Sequence, residues 1–250
     1  MKTNLLVILL LLTSLGSFAQ RNLYTFNDGI LYTEENVKAF IDTMERNTPL
    51  TYQVTPLIYH KAINKDTIVN FLTFSMAKLN GQPRKRVTFK YEQDSLFLLL
   101  HKKLPGFSLS DLNGTVMSSD ELQGKPTLIN FWNTQCKPCI AEMPQLSKLK
   151  NIYVSQMNFI SITDDRLEEK DLIGFLKNKE FNFAVLANGG DYAKSIHISG
   201  LPRNIFVDKT GIVRYIQHNY PLDLQGKEIP PDSPDNEFTK IIKQLVGLSK

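Results

Sequence analysis

The sequence predicts an α/β fold, a central mixed sheet flanked by helices, preceded by a small α+β region. Three observations predict it. The run Leu128-Ile129-Asn130-Phe131-Trp132 is apolar enough for a buried strand, and a helix begins shortly after it, near Cys136. Short apolar runs at 157–162 and 183–186 then alternate with helical stripes, one of them carrying Leu172, Phe175 and Leu176. Finally, residues 204–208 and 212–217 alternate around Lys209-Thr210-Gly211 as an antiparallel hairpin does, and a last helix follows.

The N-terminus has Lys2, an apolar run from Leu5 to Leu12, and small residues ending at Ala19. That pattern predicts a signal peptide, 1–19, cut after Ala19. The apolar run is shorter than the roughly 20 residues that span a bilayer, so an uncleaved membrane anchor is the minor alternative. No cysteine follows the run, which excludes a lipid-anchored precursor. The implied compartment is the periplasm, where disulfides persist.

Residues 20–100 read as an N-terminal α+β region of unknown role. Thr33 is the predicted N-cap of a helix to about Arg46, striped by Val37, Phe40, Ile41 and Met44. Three strands are expected at 51–60, 66–77 and 86–101, where Thr, Val, Ile, Tyr and Phe concentrate. Asn80-Gly81 favours a hairpin turn, which makes Arg84-Lys85-Arg86 a solvated hairpin end. A net charge of +4 is too mild to argue for nucleic acid.

Residues 101–250 form the second predicted domain. A short strand and turn, at Pro105–Leu109 and Asp111–Gly114, precede the strand at 127–132 and a helix from about Lys137 to Tyr153, with Pro144 expected to kink it. Thr163 or Asp164 is the expected cap of the next helix, a short helix is expected at 191–196, and Ser233 and Pro234 are expected to open the last one. Phe238, Ile241, Ile242, Leu245 and Val246 are its apolar stripe.

The chemistry concentrates in Cys136-Lys137-Pro138-Cys139, which holds both cysteines of the chain and follows its one tryptophan. At a helix start, backbone N–H groups stabilise a thiolate, and the spacing lets one sulfur reach the other. Lys137 adds a positive charge, and Pro138 suits the first helical turn. A bridge so short closes almost no loop, so a structural role explains it poorly. Cys136 is the nucleophile in this reading and Cys139 the resolving thiol. His60, His101, His197 and His218 are scattered, so no metal is expected, and the chemistry needs no cofactor. Glu142, three residues beyond Cys139, shares its helix face. It is either a proton acceptor for Cys139 or an ordinary solvated glutamate.

Phe131-Trp132, Cys136-Lys137-Pro138-Cys139 and Glu142-Met143-Pro144 together resemble the thioredoxin-like proteins of the TlpA/ResA group. The resemblance covers roughly residues 104–250 and implies an extracytoplasmic thiol–disulfide oxidoreductase of thioredoxin-like fold. It implies a functional glutamate at Glu142, with Asn130 standing where thioredoxins proper keep an aspartate. It also implies a cis Leu201-Pro202 bond opposite the cysteines, and a substrate surface of Trp132, Lys137, Pro138, Leu201 and Pro202. Arg203 and Gln135 depart from the pattern on what should be the client-facing side. The implied partners are client proteins with disulfides, apocytochrome c among the candidates, and a membrane or periplasmic electron donor. Two rival functions stay open: a peroxiredoxin-like peroxidase, and a non-catalytic partner-binding module.

Overall fold

The computed structural model describes residues 20–26, 30–47, 52–222 and 227–247. The expected signal peptide lies outside the described residues. Among those residues, no helix is long and apolar enough to cross a membrane.

The N-terminal region is a four-stranded sheet with one helix on it. Its elements are β1 (Arg21–Thr25), α1 (Glu34–Asn47), β2 (Tyr52–Asn64), β3 (Thr67–Lys78) and β4 (Lys90–Tyr91), in sheet order β1-β3-β2-β4. Thr33 caps α1 as expected: its hydroxyl accepts from the Asn36 N–H, and the Asn36 side chain accepts from the Thr33 N–H, both at 3.2 Å. Val37 and Ile41 are fully buried against Tyr24, Ile58 and Leu72 of the sheet.

Two expectations are corrected here. Asn80-Gly81 is a turn, with both residues at positive φ, but it ends β3 without joining paired strands. The hairpin turn lies earlier, at Lys65-Asp66, between β2 and β3. Arg84 is also more than a solvated charge. Its guanidinium donates to the carbonyls of Tyr52 and Glu45, at 3.0 and 2.9 Å, and the latter is one of the carbonyls that α1 leaves open at its end.

The expected strand at 86–101 is mostly absent too. Only Lys90 and Tyr91 pair, and residues 95–99 form a 3₁₀-helix. Asp94 turns the chain there by accepting the Leu96 N–H at 3.0 Å. Leu96 and Phe97 thereby enter a core that an extended chain would miss. Burial overrides β propensity.

The C-terminal region contains a hairpin of β5 (Ser108–Ser110) and β6 (Val116–Ser118) and then the main sheet. The remaining elements in chain order are β7 (Thr127–Trp132), α2 (Lys137–Tyr153), β8 (Asn158–Thr163), α3 (Leu172–Leu176), β9 (Ala184–Leu186), α4 (Gly190–Ser195), β10 (Arg203–Val207), β11 (Val213–Gln217) and α5 (Glu237–Leu245). The sheet runs β11-β10-β7-β8-β9, with β7, β8 and β9 parallel and β10 antiparallel to both β7 and β11. This is the expected thioredoxin-like order. Pro144 lies inside α2, which continues through it.

Two helix starts differ from expectation. Asp171, not Thr163 or Asp164, caps α3, accepting the Gly174 N–H at 2.8 Å. Asn236, not Ser233, caps α5, accepting the Thr239 N–H at 3.0 Å while its amide donates to the Tyr220 hydroxyl and the Ile229 carbonyl. In both cases the chain between expected and actual cap is held in turns by other contacts, such as Asn236 N–H to the Ser233 carbonyl.

The two faces of the main sheet are covered differently. Leu128 and Phe206 point to α2 and α5, meeting Leu146, Leu149, Phe238 and Ile241. Ile129, Phe131, Ile205 and Val207 point the other way and pack with Tyr59, Leu96 and Phe97 from the N-terminal region. Residues on both sides of the expected boundary at residue 100 therefore share one apolar cluster. Leu96→Ala should cost about 2–5 kcal/mol, the usual range for a buried leucine truncation. Because Trp132 sits in the other region, its fluorescence in a urea titration should report that loss as a lowered midpoint. An unmoved Trp132 transition would show that the two regions unfold independently.

Candidate active site

The strand β7 ends at Trp132, and four residues later Cys136 serves as the N-cap of α2. The Cys139 N–H points at the Cys136 sulfur at 3.3 Å, and the two cysteines are disulfide-bonded to each other. A helix N-terminus aimed at a sulfur favours its thiolate once the bond is reduced. Cys136 is half-buried and Cys139 fully buried, so only the first is presented to a partner. Lys137 and Pro138 are exposed beside it.

The loop that carries Cys136 is tied down by Asp165. Its carboxylate accepts the Thr134 N–H at 2.7 Å, the Thr134 hydroxyl at 3.1 Å and the Thr163 hydroxyl at 3.1 Å. This clamp was not legible in the sequence, since nothing there relates Asp165 to Thr134 across 31 residues.

Glu142 is 4% exposed, so it is not a solvated helix residue. One carboxylate oxygen accepts from the Asn130 amide at 2.8 Å and, more weakly, from the Asn204 amide at 3.4 Å; the other accepts the Tyr220 N–H at 2.8 Å. Burial pushes its pKa up to about 7, against the pull of those three donors. Asn130 and Asn204 are also bonded to each other at 3.0 Å and are register partners across β7 and β10. The sequence carried one signal for Asn204: a polar residue at an inward position of an otherwise apolar strand. It carried none for Tyr220, which contributes a backbone group.

A cleft beside the cysteines is lined by Gln135, Cys136, Lys137 and Pro138 on one side and by Gly200 and Leu201 on the other. The Leu201-Pro202 bond is cis, as the resemblance implied. Among the described residues, the N–H and carbonyl of Leu201 have no hydrogen-bond partner. Trp132 lines the floor but is wholly buried, packed with Cys139 and Met143 and stacked on Phe175 at 6.0 Å. Arg203 does not itself line the cleft: its side chain pairs with Asp94 at 3.0 Å, in a pocket on the face of β10 away from Asn204. His218 lies in the same pocket, its ring 4.5 Å from Tyr59, and burial together with the Arg203 cation pushes its pKa down to about 4.

The Glu142 environment sets a pH dependence. The folded chain holds that proton to about pH 7, whereas an unfolded one releases it near 4.5. Between those values the folded state binds more protons, so stability falls as pH rises from about 4.5 to about 7 and levels off above. The fall should total on the order of 3 kcal/mol, because one extra bound proton is worth about 1.4 kcal/mol for each pH unit of that window. Glu142→Gln should flatten that part of a stability-against-pH curve measured by urea unfolding.

Residues 100–216 match the AhpC/TSA family. The thioredoxin-like protein YneN of Bacillus subtilis is 29% identical over 117 residues, 46% of this chain and 69% of the relative. The thiol-disulfide oxidoreductase ResA of Bacillus thuringiensis is 32% identical over 113 residues, 45% of this chain and 65% of the relative, just under two thirds of its length. Among solved structures, the thioredoxin domain of a thiol-disulfide oxidoreductase from Bacteroides vulgatus aligns with 58% of this chain and 97% of its own, at 22% identity and a TM-score of 0.48. The family match and the two sequence relatives fall on the region that holds the Cys pair and support an oxidoreductase. The C-terminal part of this chain has a thioredoxin-like fold and is similar in sequence to thiol-disulfide oxidoreductases of the ResA kind.

Proposed function

We propose that the chain is an extracytoplasmic thiol–disulfide oxidoreductase that reduces disulfides in exported client proteins, apocytochrome c being one candidate. The observation that carries this reading is the pairing of a half-buried Cys136 with a buried Cys139, one helical turn before a carboxyl whose pKa is about 7.

The cycle starts from the reduced pair. The Cys136 thiolate attacks one client sulfur, the client S–S bond breaks, and the departing client thiolate takes up a proton. The Cys139 thiol then gives its proton to Glu142 and attacks the Cys136 sulfur. The mixed disulfide breaks and the Cys136–Cys139 bond forms, while the second client thiolate takes up the proton that Glu142 holds and the client leaves as a dithiol. Two electrons pass to the client, and a donor thiol must return them. A carboxyl with a pKa near the working pH suits that proton transfer. The unpaired Leu201 N–H and carbonyl suit a client held as an added strand beside Cys136, with Lys137 and Pro138 around it; Pro202 itself is buried and sets the turn.

Insulin reduction with dithiothreitol as donor tests the assignment. Cys136→Ala should abolish it, and Cys139→Ser should accumulate clients as mixed disulfides on Cys136. Glu142→Gln should slow turnover at pH 7 by about 10²-fold, the lower end for a lost general base, and should remove the inflection near pH 7 from the rate profile. Peroxide consumption in place of insulin reduction would move the assignment to a peroxiredoxin-like peroxidase. Activity that survives Cys136→Ala would remove the Cys pair from the mechanism.

A further inference from the structure

The N-terminal region reaches the active-site loop through one ion pair. Asp94, at the start of the 3₁₀-helix 95–99, meets the Arg203 guanidinium at 3.0 Å, with the two side chains only 8% and 11% exposed. Alternation along β10 explains how they meet. Asn204 points to Glu142, so Arg203 and Ile205 point to the opposite face, where Tyr59 and Phe97 lie. Arg203 then folds back on its own loop. A second guanidinium nitrogen donates to the Pro202 carbonyl at 3.0 Å, and the group lies against Gly200, where a Cβ would approach it to 3.7 Å. One planar fork thus joins the N-terminal region to the Pro202 carbonyl, at the end of Gly200-Leu201-Pro202.

Asp94 is itself held in place. Its N–H donates to the Tyr59 carbonyl of β2 at 2.9 Å, and its other carboxylate oxygen caps the 3₁₀-helix. Tyr59, Phe97 and the neutral His218 pack on one another, with Tyr59 and Phe97 ring centroids 4.9 Å apart, and His218 feels both charges of the pair. The pair is itself nearly shut off from water, which makes a charged hydrogen bond strong and its loss costly.

We infer that Asp94 is a positioning residue for client binding: acting through Arg203, it holds the Leu201 backbone in place to receive the client strand. This rests on the oxidoreductase reading above and gives residues 20–100 a part in it. The N-terminal region acts as a brace for the loop opposite Cys136. A small disulfide has no backbone to pair with Leu201, so it should not sense the brace.

Asp94→Asn is the informative change, because asparagine still caps the 3₁₀-helix while losing the charge. It leaves Arg203 buried without a counterion, so the double variant Asp94→Asn/Arg203→Thr, with neither charge, serves as the folded control. Backbone ¹⁵N order parameters read by NMR should fall at Gly200 and Leu201 from about 0.85 to below about 0.6 in both variants. The KM for insulin should rise about fivefold with kcat near wild type, while turnover of hydroxyethyl disulfide stays within about twofold. Arg203→Lys should fall on the side of the variants, since an ammonium cannot span Asp94 and the Pro202 carbonyl as the fork does. Unchanged order parameters at Gly200 and Leu201 overturn the brace, and so do equal losses on insulin and hydroxyethyl disulfide. A wild-type protein that reduces neither disulfide overturns the activity instead, and the order parameters alone then decide whether Asp94 holds the loop.

Discussion

The central strand β7 is buried at every residue and paired on both edges, parallel to β8 and antiparallel to β10. The rest of the site depends on that double pairing. It fixes where the strand ends, and the α2 N-terminus must then begin just beyond it. A helix that starts at the edge of a rigid sheet directs its unpaired N–H groups at one place, and Cys136 occupies it. The Asp165 clamp on Thr134 removes the remaining freedom of the short connection. A thiolate needs those N–H groups held still, and two strands plus one carboxylate supply the rigidity.

The same strand carries the polar part of the site. Gln217, Asn204, Asn130 and Ser161 are register neighbours across β11, β10, β7 and β8, all nearly or fully buried. A row of polar side chains through an apolar sheet is costly unless its members are bonded, and Asn130 and Asn204 are bonded to each other and to Glu142. The row therefore makes room for a carboxyl inside α2. Asn130 solubilises that carboxyl without adding a charge of its own, which an aspartate at the same position would bring. Burial still dominates the three donors, and the group is poised near neutrality.

Among the described residues, the sheet has no long helix of its own to cover its other face. Leu96, Phe97 and Tyr59 take that place, alongside Phe107, Tyr192 and Ile196. The apolar face of the C-terminal domain is thus completed by residues from before it. Arg203 and His218, polar residues on this side, sit where the two regions meet and find Asp94 and aromatic rings. A small or hydroxylated residue at position 203 would need no such partner, so the departure at Arg203 and the presence of Asp94 make sense together.

What the sequence alone determined is local. The α2 limits, the β7 limits and the redox spacing all follow from short-range rules: apolar runs, a cap, a proline at the first turn and two cysteines three apart. Thr33 capping α1 belongs with them. Tertiary structure decided whatever depends on partners distant in the chain. Residues 95–99 read as strand by composition and became a 3₁₀-helix because Leu96 and Phe97 gain more from the shared core than from an edge pairing. Asp171 and Asn236 displaced the nearer caps because the segments before them are held elsewhere. Glu142 stood open in the sequence between a proton acceptor and a solvated glutamate, and it is buried because β10 and the Tyr220 backbone close over it, 62 and 78 residues away. Arg203 lies one residue past the cleft loop in sequence, yet strand alternation turned it to the far face, where only the fold could bring Asp94 across 109 residues to meet it.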